Sequence, residues 1–247
     1  MQRIIRHTLV DSTNERAFVS LAAGKARDGD LHLASGQSAG RGRLQRPWES
    51  AEGEGLYLSY VHLPAGPGPL STAMTMGAGL ALLGGLLDLG LGGARLDWPN
   101  DLVVAGSKLA GILIESRGFD PSQPHYVVGI GVNVRQRAFS EELRAERKVT
   151  SLALEGLDCV PDELGEALQP LLGARFAQAK ADPAGLARDY LAATGLAGEA
   201  VEVRVSGPSS FGILREIDLE RGLLLETDEK PLRIRLAHIH GVDRSSL

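Results

Sequence analysis

Six short strand-like segments, separated by turn-forming residues, constrain the fold of this chain most. They are Leu31–Ala34, Leu56–Val61, Leu96–Trp98, Leu102–Val104, Leu109–Glu115 and Tyr126–Asn133. Gly, Pro, Asn or Asp stands between several of them, as is typical of strands joined by turns. Helix-like segments precede, interrupt and follow these strands, so the sequence predicts an α+β domain with helices flanking a sheet.

Four segments have the pattern of helices: Ser12–Ala26, Ser71–Leu91, Asp162–Lys180 and Ala184–Thr194. Ser12-Thr13-Asn14-Glu15 matches a capping box, which predicts that the first helix begins there. Pro170 predicts a kink within Asp162–Lys180, and Gly195 is a typical residue to end the last helix.

The segment Ser71–Leu91 has one charged residue, Asp88, and is long enough to span a membrane. It also contains several glycines, a serine and two threonines, which weaken both its apolarity and its helix propensity. We therefore predict a buried helix packed closely against the sheet, and no membrane association.

From about Glu199 the sequence changes to an alternation of period two. The predicted strands are Val201–Val205, Gly212–Ile217, Leu223–Glu226 and Leu232–Leu236. Four or five short strands at the end of the chain predict a small barrel, so we divide the chain into residues 1–196 and 197–247. From Glu199 onward there are seven basic and nine acidic residues, which does not indicate a nucleic-acid surface.

The composition is that of an ordinary globular protein. Its 247 residues carry a net charge of −5, with 43% apolar and 23% charged residues. Cys159 is the single cysteine, so no internal disulfide or thiol zinc cluster is expected, and a reduced cytoplasm is the expected location. Met1–His7 lacks the continuous apolar core of a secretory signal.

The segment Gly36–Trp48 places three arginines among small residues in a stretch too rich in glycine for a helix. Glycine lets backbone N–H groups approach a ligand, and arginine matches carboxylate or phosphate oxygens at two points. The chain as a whole has a net negative charge, so the three arginines form a local positive patch. The segment therefore predicts an anion-binding loop, with a solvated basic loop as the alternative.

Five motifs in order carry a family resemblance. They are Asp11-Ser12-Thr13-Asn14, the loop Gly36–Trp48, Trp98-Pro99-Asn100-Asp101, Lys108-Leu109-Ala110-Gly111-Ile112-Leu113-Ile114-Glu115 and Gly129-Ile130-Gly131-Val132-Asn133. Together they resemble the biotin protein ligases over nearly the whole chain. The resemblance implies a mixed sheet with flanking helices, similar to class II aminoacyl-tRNA synthetases, and an SH3-like C-terminal barrel.

The same resemblance implies a two-step ligase reaction. Biotin attacks the α-phosphate of ATP to give biotinyl-AMP and pyrophosphate, with Mg²⁺ expected on the phosphates. The amine of a lysine in a biotin carboxyl carrier protein then attacks the mixed anhydride. Biotin and ATP are thus substrates, and no protein metal site is expected.

Residues for these steps follow from the resemblance. Lys108 is expected to bridge the biotin carboxyl group and the α-phosphate, and Arg43 to close over the adenylate. The expected binding residues are Ser12, Thr13, Asn14, Gln37, Gly40, Arg41, Gly42, Arg43, Arg46, Trp48, Asn100, Asp101, Lys108, Gly111, Gly129, Gly131 and Asn133.

Residue chemistry supports some of these roles and leaves others open. Ser12, Thr13, Asn14 and Gln37 offer both donors and acceptors, which a ureido ring requires. Asp101 is compatible with holding Lys108 or an arginine, placing magnesium, or shaping a turn. Trp48 is interpreted first as a core anchor.

The loop departs from the family pattern, which has Gly where Gln45 stands and often Arg where Leu44 stands. Adenylate binding is expected to survive because Arg46 is present. The sequence leaves open how Leu44 and Gln45 affect the rate of loop closure.

Two other functions compete with the ligase interpretation. A lipoate-attaching enzyme would share the catalytic fold, but Trp98–Asp101 with Lys108 fits the biotin branch better. A repressor that uses the adenylate as corepressor would need an N-terminal DNA-binding domain, and eleven residues precede Ser12, so specific DNA binding is not expected.

Neither a Walker loop nor a dinucleotide-binding glycine motif is present. The sequence leaves open whether the enzyme is a homodimer.

Overall fold

The computed structural model describes residues 3–66, 68, 71–118 and 124–245. Met1 and Gln2, part of the N-terminal segment interpreted above, lie outside this range. The strands are β1 Ile4–Val10, β2 Leu31–Gln37, β3 Gly55–His62, β4 Ala94–Asp97, β5 Asp101–Val104, β6 Ser107–Glu115, β7 Tyr126–Asn133, β8 Ala200–Val205, β9 Ser210–Asp218, β10 Gly222–Glu226, β11 Leu232–Ile234 and β12 Ile239–Arg244. The α-helices are α1 Thr13–Ala22, α2 Ser71–Asp88, α3 Glu141–Glu146, α4 Pro161–Ala181 and α5 Pro183–Thr194.

The larger sheet has seven strands in the order β1-β2-β3-β7-β6-β5-β4. Strands β1 and β2 are parallel, and the other neighbours are antiparallel. The expected mixed sheet with flanking helices is therefore confirmed. The glycine-bearing strand β7 lies at its centre, between β3 and β6.

Helices cover both faces of this sheet. Alternate residues of a strand point to opposite faces, and the two hydrophobic clusters divide accordingly. Tyr60 and Val128 belong to the main core with α2 and α4, whereas Val61 and Val127 pack with Ala17 of α1. The sheet therefore forms the middle layer of the domain.

The glycines of α2 allow close packing, as the sequence predicted. A β-carbon at Gly79 would come within 3.1 Å of Leu96 on β4, and one at Gly85 within 2.8 Å of Leu168 on α4. Among the described residues, no helix is both long and apolar enough to cross a membrane.

The second sheet is antiparallel, with strands in the order β11-β10-β9-β8-β12. The pairings β9–β10 and β8–β12 both shift register, at Leu224/Leu225 and Ile239/Gly241 respectively. The side chain of Trp98 donates a hydrogen bond from Nε1 to the carbonyl oxygen of Ile239 on β12, at 3.2 Å. The second sheet therefore contacts the turn that follows β4.

Several elements differ from the sequence predictions. Strands β1 and β12 and the short helix α3 were not predicted. Helix α1 ends at Ala22 instead of Ala26, and Gly24 follows at a φ of 65°. Helix α4 continues through Pro170. Trp98 is not part of β4, which ends at Asp97.

The predicted capping box is wrong in its side-chain contacts. Ser12 occupies the N-cap position, but its side chain makes no capping hydrogen bond. Glu15 pairs instead with Arg41 and Arg117. The carboxylate that would have closed the box is used to hold the basic loop.

Candidate functional site

The predicted binding residues surround one cavity of about 550 Å³. It opens beside the central strands β6 and β7, beneath the basic loop, and its wall includes the turn between β4 and β5. All predicted residues except Gly40 line it. Gly40 acts indirectly, because its carbonyl oxygen accepts a hydrogen bond from Trp48 N at 2.9 Å.

One end of the cavity is a polar network at the start of α1. Thr13 donates from its backbone N (2.8 Å) and its hydroxyl (3.2 Å) to Gln37 Oε1. The Asn14 amide donates to Glu115 Oε2 at 2.6 Å. The hydroxyl of Ser59, on β3, lies 2.8 Å from Thr13 Oγ1 and 2.5 Å from Asn14 Oδ1. Buried amide and hydroxyl groups are thereby held in fixed orientations.

The glycines of β6 and β7 are required by neighbouring side chains. A β-carbon at Gly129 would lie 2.6 Å from Asn14 Oδ1, and one at Gly131 would lie 2.5 Å from Trp48 Cε2. At Gly111 the nearest atom would be Trp48 Cζ3, at 3.0 Å. The two strands present bare backbone there, so the cavity floor is flat.

Trp48 is therefore a wall of the cavity as well as an anchor. The ring is partly buried, and among the described residues its Nε1 has no hydrogen-bond partner. The ammonium of Lys108 stands 5.2 Å from the ring centroid, within the range of a cation–π contact. The indole thus joins the glycine floor to the cationic end of the cavity.

The three loop arginines are held differently. Arg41 pairs with Glu15 at 2.5 Å. Hydrogen bonds from Arg117 and then from Arg41 lower the pKa of the Glu15 carboxyl to about 2. Arg43 donates from Nη1 to Asn100 Oδ1 at 3.2 Å and is exposed. Arg46 lines the cavity with its side chain exposed. Two of the three guanidinium groups are thus open to solvent.

Two departures of the loop from the family pattern coincide with unusual backbone angles. Leu44 has a φ of 56° and Gln45 a φ of 60°, in the left-handed region that favours glycine. A side chain there costs roughly 1–2 kcal/mol per residue. The Leu44 side chain is 86% exposed, so no packing offsets this strain.

The other end of the cavity is a buried ion cluster. Lys108 Nζ lies 2.8 Å from Asp101 Oδ1, and Arg147 Nη1 lies 2.8 Å from Asp101 Oδ2. Burial lowers the pKa of the Lys108 ammonium, and Asp101 opposes that shift. Of the roles left open for Asp101, the structure shows the ion pairs with both a lysine and an arginine.

Asn100 and Asn133 organise backbone at this end. Asn100 Nδ2 donates to the carbonyl oxygen of Ile112 at 2.9 Å, and Asn133 Nδ2 donates to that of Thr150 at 2.9 Å. Both side chains also border the cavity. The second contact brings the segment after α3 against the end of β7.

Sequence reasoning missed several residues of the cavity. They include Asp97, Glu146, Arg147, Arg204 and His240, and Ser59 and Glu115 behind the polar end. The sequence offered one indication of these residues: Ser59 is a polar residue inside the apolar strand β3. Glu115 is the last residue of one motif and Asp97 directly precedes another, but neither was assigned a role. Glu146, Arg147, Arg204 and His240 lie outside all five motifs, so only tertiary structure places them at the cavity.

The chain is similar in sequence to known proteins. Residues 7–133 match the biotin/lipoate A/B protein ligase family. The chain is 35% identical over 223 residues to a biotin–[acetyl-CoA-carboxylase] ligase of Paracoccus denitrificans, covering 87% of this chain and 90% of that protein. It is 34% identical over 145 residues to the bifunctional ligase/repressor BirA of Bacillus subtilis, covering 58% of this chain and 44% of that one.

Among solved structures, the biotin protein ligase from Aquifex aeolicus in complex with biotin and ATP is similar over 99% of this chain and 100% of that chain. The TM-score is 0.80 and the sequence identity is 28%.

Proposed function

Because the chain belongs to the biotin/lipoate A/B protein ligase family, we propose that it is a biotin protein ligase that forms biotinyl-AMP and transfers biotin to a carrier lysine. The observation that carries this proposal is one cavity with two chemically different ends. A network of amides and hydroxyls lies at one end, and Lys108 with exposed loop arginines lies at the other. A vitamin with a polar ring and a carboxylate matches both ends: its ring fits the amides and hydroxyls, and its carboxylate fits the cations.

The polar end favours biotin over lipoate. The ureido ring of biotin has one carbonyl acceptor and two N–H donors, whereas the dithiolane ring of lipoate has no hydrogen-bonding N–H or carbonyl. Thr13, Asn14, Gln37 and Ser59 supply both kinds of partner. An apolar ring would bury these polar groups without offering them a hydrogen-bonding partner of its own, which disfavours lipoate.

Adenylation requires two anions to approach each other. Lys108 is placed to neutralise the biotin carboxylate and the α-phosphate, and its rotatable donors can follow charge as it moves to the phosphorus centre. Arg43 and Arg46 add charge from the loop side. Trp48 and the glycine floor line the path between the two ends.

The site fits a magnesium ion that arrives with ATP. Mg²⁺ is commonly held by one or two carboxylates together with substrate phosphates, and the described residues contain no cluster of three metal-binding side chains. Asp97 lines the cavity, and burial together with repulsion from Asp101 and Asp243 raises the pKa of its carboxyl. Asp97 is thus the residue that would hold the ion, which would neutralise phosphate charge.

In the second step, a lysine amine of a biotin carboxyl carrier domain attacks the mixed anhydride. Closure of the loop by Arg43 would retain the anhydride until that lysine arrives. This assignment places the reaction in a reduced cytoplasm, in keeping with a single cysteine.

The C-terminal sheet is proposed to be an SH3-like barrel of residues 197–247, and residues 1–196 the catalytic domain. Five short antiparallel strands with two register shifts support this. Arg204 and His240 of this sheet line the cavity, so the barrel would contribute to the reaction chamber.

The test is incubation with biotin, ATP, magnesium and a purified carrier domain, followed by mass spectrometry. We expect a mass increase of one biotin on the carrier and release of pyrophosphate. Lipoate in place of biotin serves as the matched control. Modification with lipoate but not with biotin would refute the proposal.

A further inference from the structure

Arg147 lies outside all five sequence motifs, yet backbone pairing holds it beside Lys108. Lys108 N donates to the carbonyl oxygen of Lys148, and Thr150 N donates to that of Lys108, both at 2.9 Å. The segment after α3 therefore runs next to the start of β6. The position of Arg147 is set by main-chain register and not only by the reach of a long side chain.

The result is one carboxylate shared by two cations. Asp101 Oδ1 faces Lys108 and Asp101 Oδ2 faces Arg147, each at 2.8 Å. The Asp101 side chain is only 11% exposed, so water screens these contacts weakly. To reach substrate, Lys108 must weaken its contact with Asp101, and a buried carboxylate left without a cation would be strongly destabilised.

We propose that Arg147 is a positioning residue. It holds the Asp101 carboxylate while the ammonium of Lys108 turns from Asp101 to the substrate carboxylate and the α-phosphate. This inference rests on the proposed ligase function. With Arg147 present, Asp101 stays neutralised throughout the reaction. Without Arg147, Lys108 is the one cation among the described residues that still pairs with Asp101, and Asp101 withholds the ammonium from the reacting atoms.

The charges around Lys108 give the proposal a readout that needs no substrate. Burial, Arg147 and Arg46 all lower the pKa of the Lys108 ammonium, while Asp101 raises it. The face of Trp48 also lies against this ammonium. Removing Arg147 takes away one repelling cation and strengthens the attraction to Asp101, so the pKa of Lys108 should rise.

The first experiment is a titration of ¹³C-dimethylated lysines by NMR. The chain has five lysines, so few signals overlap, and Lys108→Arg identifies the signal of interest. We expect a higher pKa of Lys108 in Arg147→Ala and an unchanged value in Arg144→Ala. Arg144 is an exposed residue of α3 that does not line the cavity. An unchanged pKa of Lys108 in Arg147→Ala would overturn the proposal.

The second experiment measures adenylation kinetics. Arg147→Ala should lower kcat about tenfold, on the scale of couplings between contacting charges, with smaller changes in KM for biotin and ATP. Arg147→Lys should restore most of the rate, because a cation again holds Asp101. In an Asp101→Asn background, Arg147→Ala should cause little further loss.

The outcomes separate the competing explanations. A raised KM for ATP, with the same loss in the Asp101→Asn background, would mean that Arg147 binds phosphate directly and would overturn the positioning role. A loss accounted for by lowered thermal stability alone would also overturn it. If the wild type formed no biotinyl-AMP, the ligase function would fail, whereas the hold of Arg147 on Asp101 would still be judged by the titration.

Discussion

Trp48 lies so close to Gly131 that a β-carbon at position 131 would stand 2.5 Å from Trp48 Cε2. The indole can occupy this place only because β7 has no side chain there. The packing of the loop that carries Trp48 against the central strand β7 thus depends on glycine at position 131.

Gly131→Ala should displace Trp48 and weaken biotin binding by at least tenfold, with a loss of about 1–3 kcal/mol in the free energy of unfolding from overpacking. Gly84→Ala is the control, because a β-carbon there meets no atom within 4 Å and helix propensity favours alanine. Calorimetric biotin titration and thermal unfolding measure both effects. Wild-type affinity in Gly131→Ala would contradict the placement of the indole.

Lys108→Ala should reduce adenylate formation about a hundredfold or more, the scale of losing one preorganised transition-state donor. Thermal stability should change little, because Arg147 continues to neutralise Asp101. Pyrophosphate release provides the assay, and Lys148→Ala, which alters an exposed neighbouring lysine, is the control. Normal pyrophosphate release by Lys108→Ala would remove Lys108 from the reaction.

Arg43→Gly should still form biotinyl-AMP but release it about ten- to a hundredfold faster, since a charge-assisted hydrogen bond contributes roughly 1.5–3 kcal/mol. Escaped adenylate would then label serum albumin present as a bystander. Wild type and variant are compared at equal ATP consumption, with Arg137→Gly as an exposed control outside the cavity. Equal bystander labelling, or no adenylate at all, would assign Arg43 to folding or to the first step.

The loop Gly36–Trp48 should become ordered when biotinyl-AMP binds, because its two exposed arginines, Arg43 and Arg46, repel each other until an anion arrives. Trypsin should cleave after Arg43, next to the exposed Leu44, and the adenylate should suppress this cut. Cleavage after Arg221, in the turn before β10, is the internal control. Equal cleavage after Arg43 with and without adenylate would show that the loop does not respond.

His32 should make the stability of the protein depend on pH. Burial, and secondarily repulsion from His7, lowers the pKa of His32 from 6.5 to about 4. The unfolded chain therefore binds this proton first, so the free energy of unfolding should fall as pH drops from 6.5 towards 4. Denaturant unfolding of wild type and His32→Gln measures the difference. An identical slope in both proteins over this interval would disprove the assignment.

The motifs predicted the central part of the site because each has a local backbone reason. Glycines inside an apolar strand predict that a ligand approaches the backbone at Gly129 and Gly131, with a bulge as the alternative; in the structure the side chains of Asn14 and Trp48 stand at those points. Gly111 and Gly131, from the last two of the five motifs, face each other because β6 and β7 are neighbours in the sheet. Sequence order and resemblance were sufficient for that part.

Contacts between charged side chains could not be predicted in the same way. The Glu15 carboxylate matched a capping box, but two arginines distant in sequence compete for it in the folded chain. Arg147 reaches Asp101 through a strand-like pairing that no periodicity indicated. The periodicity of apolar residues predicts which face of a helix or strand is buried. Ion pairs depend instead on which surfaces tertiary packing brings together.

The hydrogen bond from Trp98 to Ile239 has a consequence for shortening the chain. Trp98 lies in the same turn as Asn100 and Asp101, which hold Arg43 and Lys108. Its indole N–H has its acceptor on β12. A fragment ending after α5 would leave this buried donor unpaired and uncover the side of the turn that carries Asn100 and Asp101. Minimal ligases built on this scaffold would therefore need to retain β12, or to supply a substitute acceptor for the indole.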